Sequence, residues 1–329
     1  MKILWVKILL ILCIVSIQVN SVFSQTSVNN EYISDYSHLL ALKTYLLIKA
    51  NSVAIINNKD RITLVPNSPL GIGAGFNFKG IGLALGIGLP HSTESITKYG
   101  RTDRFDMQAS LYSSHLGGDA YFQYYKGYYN ANPGDFVNWD KEYLPQIPAM
   151  QTISFGANLY YVFNNKKFSN KAAYSRTQVQ LKSAGSFVLG YFLNYDEVQS
   201  SNGFVPKEFP DSIAMDFDIR SFRYFATGIS VGYMYTWVIT DHFFFNGSFI
   251  PGVGYKDILL NTLEGEKDIE RKPHAQLLLR GALGYETRYF YMGLSGLSLI
   301  RNIQYKDYDI NIATGQLRIF IGKRFRIKK

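Results

Sequence analysis

Between residues 70 and 89 two short runs alternate strictly. Leu70, Ile72, Ala74, Phe76 and Phe78 face off against Gly71, Gly73, Gly75, Asn77 and Lys79; after Gly80, Ile81, Leu83, Leu85, Ile87 and Leu89 alternate with Gly82, Ala84, Gly86 and Gly88. A period of two places each set on its own side of a sheet. One face is therefore apolar throughout and the other nearly bare of side chains. In water such a sheet needs a second layer over its apolar face. In a bilayer that face already meets its solvent, which is the pattern of transmembrane barrels.

The amino terminus agrees with export. Lys2 and Lys7 lead into an apolar run from Ile8 to Val15, and Val22-Phe23-Ser24 precede Gln25, the arrangement of a secretory signal peptide over residues 1–24 cut after Ser24. The apolar core is shorter than the roughly 20 residues a spanning helix requires, and Gln18, Asn20 and Ser21 follow it. The single cysteine, Cys13, falls inside this leader. The mature domain, 25–329, then has no thiol for a disulfide, a cysteine metal site or a cysteine nucleophile. Removing the leader takes two lysines and no acid from 34 basic and 25 acidic residues, leaving a charge of +7. For an exported chain the partners this implies are outer-membrane lipid and, during insertion, the barrel-assembly machinery, with no nucleic acid.

Further alternating runs fall at 105–111, 120–125, 153–163, 187–194, 223–239, 242–255, 274–287, 288–299 and 313–327, with a first strand near 44–56. With the glycine-rich pair they make twelve, an even number as a closed bacterial barrel has. The 25 tyrosines and 23 phenylalanines suit strands. With a periplasmic amino terminus, the long polar connections 57–69, 90–102, 129–149, 196–222, 256–273 and 300–312 fall outside. The turns 79–80, 113–118, 240–241 and 287–288 fall inside and are short. The predicted fold class is all-β, a transmembrane antiparallel up-and-down β-barrel of about 12 strands.

One inner connection breaks the rule. Asn164 to Ala184 carries Lys166, Lys167, Lys171, Arg176 and Lys182 where a tight turn is expected. Ser169 can cap a short helix, while Ala173, Ser175, Thr177, Val179 and Leu181 fit a strand face. The segment reads as a lid or lumen insert, or as a hairpin extending two strands past the membrane; the hairpin is the plainer reading.

Val65-Pro66-Asn67 before the glycine-rich hairpin, the run Tyr121-Phe122-Gln123-Tyr124-Tyr125-Lys126-Gly127-Tyr128-Tyr129, and Phe163-Asn164-Asn165-Lys166-Lys167-Phe168-Ser169 with Ala172-Ala173-Tyr174 carry a family resemblance. So do Gln178, Gln180, Lys182, Ser183-Ala184-Gly185-Ser186 and Gly322-Lys323-Arg324-Phe325. Over nearly all of the mature chain these resemble the exported Bacteroidota proteins grouped as domain of unknown function 4421. The resemblance implies an outer-membrane barrel and attaches no biochemical activity.

Nothing in the pattern selects an enzyme or a cofactor. The glycines keep a period of two and lead into a strand, whereas a phosphate cradle needs backbone N–H groups at a helix start. Ser201-Asn202-Gly203 resembles part of an outer-membrane phospholipase serine motif, but Gln199 stands where that motif has histidine. His38, His91, His115, His242 and His274 have no metal-ligand spacing. The tyrosines of 121–129 suit an interfacial aromatic girdle, with a sugar-binding platform or stacking in the lumen as alternatives. The residues with a claim to a site are Arg104, Asp106, Gln108, Asp119, Gln123 and Asn158, a polar patch on the lumen faces of three neighbouring strands. Arg104 or the basic 164–184 segment is the expected counter-charge for the two aspartates. The reading is an outer-membrane structural, transport or interaction component, with a lipid-active hydrolase or a secreted ligand-binding barrel as alternatives.

Overall fold

The computed structural model describes residues 28–327, apart from 59, 68–69, 263–264, 267–269 and 306–307. The leader, Cys13 and the cut before Gln25 lie outside the described residues. In chain order the strands are β1 (Ile33–Asp35), β2 (Leu40–Asn57), β3 (Asp60–Val65), β4 (Gly71–Phe78), β5 (Ile81–Gly88), β6 (Asp103–Tyr112), β7 (Leu116–Asn130) and β8 (Gln146–Val162). They continue with β9 (Gln178–Gln180), β10 (Ala184–Gln199), β11 (Ser221–Val238), β12 (Phe243–Thr262), β13 (Gly265–Glu266), β14 (Glu270–Glu286), β15 (Phe290–Tyr305) and β16 (Tyr308–Phe325). Among the described residues three short α-helices sit between them, α1 (Thr93–Tyr99), α2 (Asn170–Tyr174) and α3 (Asp211–Asp216), with a 3-10 turn at Pro133–Asp135. None is long and apolar enough to cross a membrane, which says nothing of strands.

Twelve strands close a ring in the order β2, β4, β5, β6, β7, β8, β10, β11, β12, β14, β15, β16. Closure is made by β16 against β2, antiparallel from Phe325 beside Leu40 to Tyr308 beside Asn57. Each ring strand overlaps one of the twelve alternating runs of the sequence, with ends that differ by up to two residues where a run extends past its strand. The period of two puts Leu46, Ile48, Leu83, Leu85, Ile87, Val231, Ile319 and Ile321 on the outside, where they are exposed. So much contiguous exposed apolar surface has no place in water and matches a lipid-facing belt. Exposed rings gather where the strands meet the short turns: Phe187 packs against Tyr233 with centroids 5.0 Å apart, and Trp237 against Phe245 at 5.3 Å.

The bare glycine face has a steric reason. Tyr45 lies across it and donates from its hydroxyl to the Leu85 carbonyl at 2.9 Å; a Cβ at Gly73 would run into its ring. Arg104 occupies the space over Gly71 and Gly88 in the same way. These glycines make room for large lumen side chains on neighbouring strands.

Three connections differ from the sequence expectation. Most of 256–273 and 300–312 is strand, because the β12/β14 and β15/β16 hairpins continue past the belt. There both faces tolerate charge: Arg271 Nε pairs with Asp257 at 2.7 Å and holds its carboxyl below the ordinary carboxylate range. The 57–69 connection contains β3, which pairs with β2 (Ile55 beside Ile62) and with β7 (Val65 beside Tyr129). Since β4 and β5 stop early, β3 carries the wall from β2 to β7 at the loop end, passing over three strands. One apolar cluster fills that end. It joins Val53, Ile55, Ile62, Leu64, Phe192, Phe204, Phe217, Ile258, Leu260, Ile303 and Ile310, each at most 3% exposed.

The outer face gives a first expected result. Leu85→Arg or Leu159→Arg places a guanidinium at positions 47% exposed on the apolar surface and should destabilise the folded barrel by about 2–4 kcal/mol. The same replacement at Asn158, which lines the lumen, should cost less. Urea unfolding in lipid vesicles reads the difference, and equal losses would mean that protein covers both faces.

Candidate functional site: the polar lumen

The inward rows meet in a charged layer between the apolar loop end and the turn end. Asp106, on β6, is 3% exposed and fully engaged. Lys49 of β2 pairs with it at 2.8 Å, Gln123 of β7 donates to it at 2.9 Å, and the Tyr125 hydroxyl donates at 3.2 Å. Asp119, on β7, is paired with Arg280 of β14 at 2.6 Å and accepts the Tyr112 hydroxyl at 2.5 Å. Gln108 accepts from Arg318 of β16 and donates to Gln316 at 2.9 Å. Asn158 lines the same space beside Asp119 in the ladder. Arg104 is set apart: none of its three guanidinium nitrogens has a hydrogen-bond partner among the described residues. The expectation that Arg104 or the basic segment neutralises the two aspartates is therefore corrected; Lys49 and Arg280 do so.

The tyrosine run also differs from its expected girdle role. Tyr121, Tyr125 and Tyr128 point inward: Tyr121 accepts from Arg301 at 3.2 Å and Tyr128 meets Thr152 at 2.7 Å. Tyr125 and Tyr128 share a side despite their odd spacing because the β7/β8 register shifts between Lys126 and Tyr128. Gly127, at φ +96°, supplies the left-handed bulge residue.

Three further ion pairs lie outside the polar patch nominated from sequence. Arg301 of β15 pairs with Asp196 of β10 at 3.0 Å, with both side chains at most 1% exposed. Glu286 of β14 pairs with Arg324 of β16 and, at 3.6 Å, with Arg176. A legible signal existed for several of these residues. Gln316, Arg318 and Phe320 alternate with Leu317, Ile319 and Ile321, and a charge within such an alternation marks the lumen side of the strand.

Residues 163–183 form a lumen insert, and the hairpin-extension reading is overturned. Ser169 caps α2 by accepting from the Ala172 amide at 3.0 Å. After the left-handed turn at Arg176, φ +60°, the chain enters β9, which pairs with β1 instead of lengthening β8 or β10. Both structural signals in this segment operate, one after the other. Polar contacts fasten the insert to the wall: Asn170 donates to Tyr160 at 2.8 Å and Tyr174 to Asn246 at 2.7 Å. The Arg280 guanidinium covers the Tyr174 ring at 3.7 Å, and Arg176 sits over Phe244 and Phe320. An internal cavity of about 110 Å3 remains between insert and wall.

Catalytic constellations do not gather here. Ser201 is exposed on the turn after β10, and Gln199 is held in the ladder opposite Ser221. Among the described residues no cluster of His, Cys, Asp and Glu can hold a metal ion.

A closed twelve-stranded up-and-down β-barrel with an apolar exterior and a packed, charged lumen has the form of a membrane-spanning barrel. The chain belongs to the family described as domain of unknown function DUF4421, whose model matches residues 27–325. No curated protein matches it significantly. Among solved structures it is similar to the outer membrane protease OmpT of Escherichia coli, with 10% identity, 89% of this chain and 98% of that one covered, and a TM-score of 0.38. It is also similar to the toluene transporter TodX of Pseudomonas putida, with 7% identity, 93% and 96% coverage and a TM-score of 0.30. A third is CdiB of Acinetobacter baumannii, with 9% identity, 84% and 60% coverage and a TM-score of 0.32. At these values no site or activity carries over.

Proposed function

We propose that this chain is a non-conducting outer-membrane barrel, a structural or surface-interaction component and not an open pore. The observation that carries the reading is the double filling of the lumen. An apolar cluster occupies the loop end, and the insert, tied by Arg176, Asn170 and Tyr174, occupies the turn end. An apolar constriction resists water and ions even where its geometric radius is not zero. The export leader, the even strand number and the apolar belt support outer-membrane placement with the short turns in the periplasm. The hydrolase alternative gains nothing from the Ser201 motif, because Ser201 is exposed on the turn after β10 and Gln199 is held in the ladder opposite Ser221. A secreted water-soluble barrel would expose the Leu85 and Ile319 rows to water.

Placement and orientation are tested together by thiol labelling in the mature chain, whose natural sequence is thiol-free. Asp140→Cys, exposed in a loop-end connection, should react with an impermeant maleimide on intact cells. Asp241→Cys, exposed at a short turn, should react only after the outer membrane is permeabilised. The reverse pattern rejects the orientation, and recovery of both proteins from the soluble periplasm rejects the membrane.

A further inference from the structure

The turn-side half of the lumen holds more positive charge than its carboxylates balance. The 110 Å3 cavity is lined by Lys43, Arg176, Arg280 and Arg318, and Asp119 is the sole carboxylate among its described lining residues. Asp119 is already taken by Arg280, and Arg176 shares Glu286 with Arg324. Two cations are left. Among the described residues Arg318 donates only to the neutral amide oxygens of Gln108 and Gln316 and lies over the Tyr45 ring at 5.1 Å, and its Nε has no hydrogen-bond partner. Lys43 makes no hydrogen bond or ion pair to any described residue, and its ladder neighbours on both sides, Gly75 and Gly322, have no side chain to offer.

Lys43 and Arg318 are half-buried and line the cavity, and charges held inside a protein are ordinarily paired, since a surrounding of lowered dielectric penalises an isolated ion. We infer that the barrel binds one small divalent oxyanion of the phosphate class in this cavity, between Lys43 and Arg318, as part of its folded structure. Two unmatched cations call for two negative charges. The guanidinium fork and the ammonium donate in the way that suits tetrahedral oxyanions. The volume exceeds the roughly 10–15 Å3 needed for one water, leaving room for such an ion with a few waters. The unbroken ladder of β2 with β4 and β16 separates the cavity from lipid. The ion therefore enters along the barrel axis or during folding, as a free small anion and not as a lipid headgroup. The site stands whether or not the barrel conducts, so binding and conductance fail separately.

The test uses the full-length barrel, purified in detergent without phosphate or sulfate and shown to be folded by its heat-modifiable gel mobility. Titration calorimetry should give one saturable site per chain for inorganic phosphate. Sulfate should compete for it, and chloride at equal ionic strength should not. Lys43→Met and Arg318→Met should each weaken binding about tenfold or more, the worth of a charge-assisted hydrogen bond; Arg223→Gln on the exterior should leave it unchanged. Lys43→Gln serves in the same comparison if the methionine variant misfolds. Phosphate should raise the melting temperature of the wild type and not that of the Lys43 variant. Absence of saturable binding to the wild type overturns the proposal, as does equal binding by folded Lys43 and Arg318 variants, or equal displacement by chloride. Phosphate carried only by phospholipid micelles and not by the free ion would also overturn it, because it would place the site on the lipid face.

Discussion

Glu286→Ala is expected to destabilise the barrel by about 3–5 kcal/mol, the usual consequence of removing one partner from a buried ion pair. Glu286 is 3% exposed and is the shared counter-charge for two guanidinium groups. Without it, Arg176 and Arg324 face each other within the protein. Arg324 keeps the carbonyls of Arg176 and Thr287 at 2.6 Å each, but these satisfy its N–H groups without neutralising it. Arg176 also occupies a left-handed backbone conformation at φ +60°, unusual for a side chain of its size. The surrounding contacts hold it there: Glu286 at 3.6 Å, the Ala172 carbonyl at 3.1 Å and the Phe244 and Phe320 rings, of which Glu286 supplies the only charge. Glu286→Gln retains an acceptor oxygen at the same volume and should lose less. Urea-induced unfolding in vesicles measures both variants. A loss below about 1 kcal/mol for the alanine variant, the range of exposed pairs, would mean that water reaches this part of the lumen freely.

The wall of this barrel is written in the sequence more openly than its contents. Alternation alone locates every ring strand, because each has one lipid face and one lumen face and a side-chain period of two cannot be hidden. Partnerships across the lumen have no such local signature. Asp106 meets Lys49, and Asp119 meets Arg280 on a strand far along the chain; which residues face each other across the ring depends on the stagger of all the strands between them. The insert was ambiguous for a different reason. Its helix-cap signal at Ser169 and its alternation through Val179 belong to α2 and β9 in succession, so a single assignment for the whole stretch had to fail. Tyr128 turned inward through one bulge at Gly127, a local shift that inverts the face of everything after it. The connections at 256–273 and 300–312 looked like loops because they are polar, yet strands that leave the bilayer no longer need an apolar face.

The second large effect concerns the two ends of the lumen. Removing residues 166–182 takes away Phe168, Ala172, Ala173 and Arg176, all buried between the strands at the turn end. The apolar cluster around Ile55, Leu64, Phe192 and Ile258 remains, so the deletion alone is expected to leave the barrel closed to ions. Residues 201–219 supply Phe204, Phe217 and Ile219 to that cluster. Deleting them alone should also leave the barrel closed, because the insert and its polar ties persist. Replacing both segments by short glycine-serine linkers removes both fillings and leaves the hydrogen-bonded ring of strands in place. Single-channel recording in planar bilayers on these four proteins, each checked for heat-modifiable mobility, tests the doubly filled lumen most directly. The expected result is silence from the wild type and from each single deletion, with stable, stepwise ion currents from the double deletion. Steady conductance from the wild type, or full opening on removal of the insert alone, would contradict it.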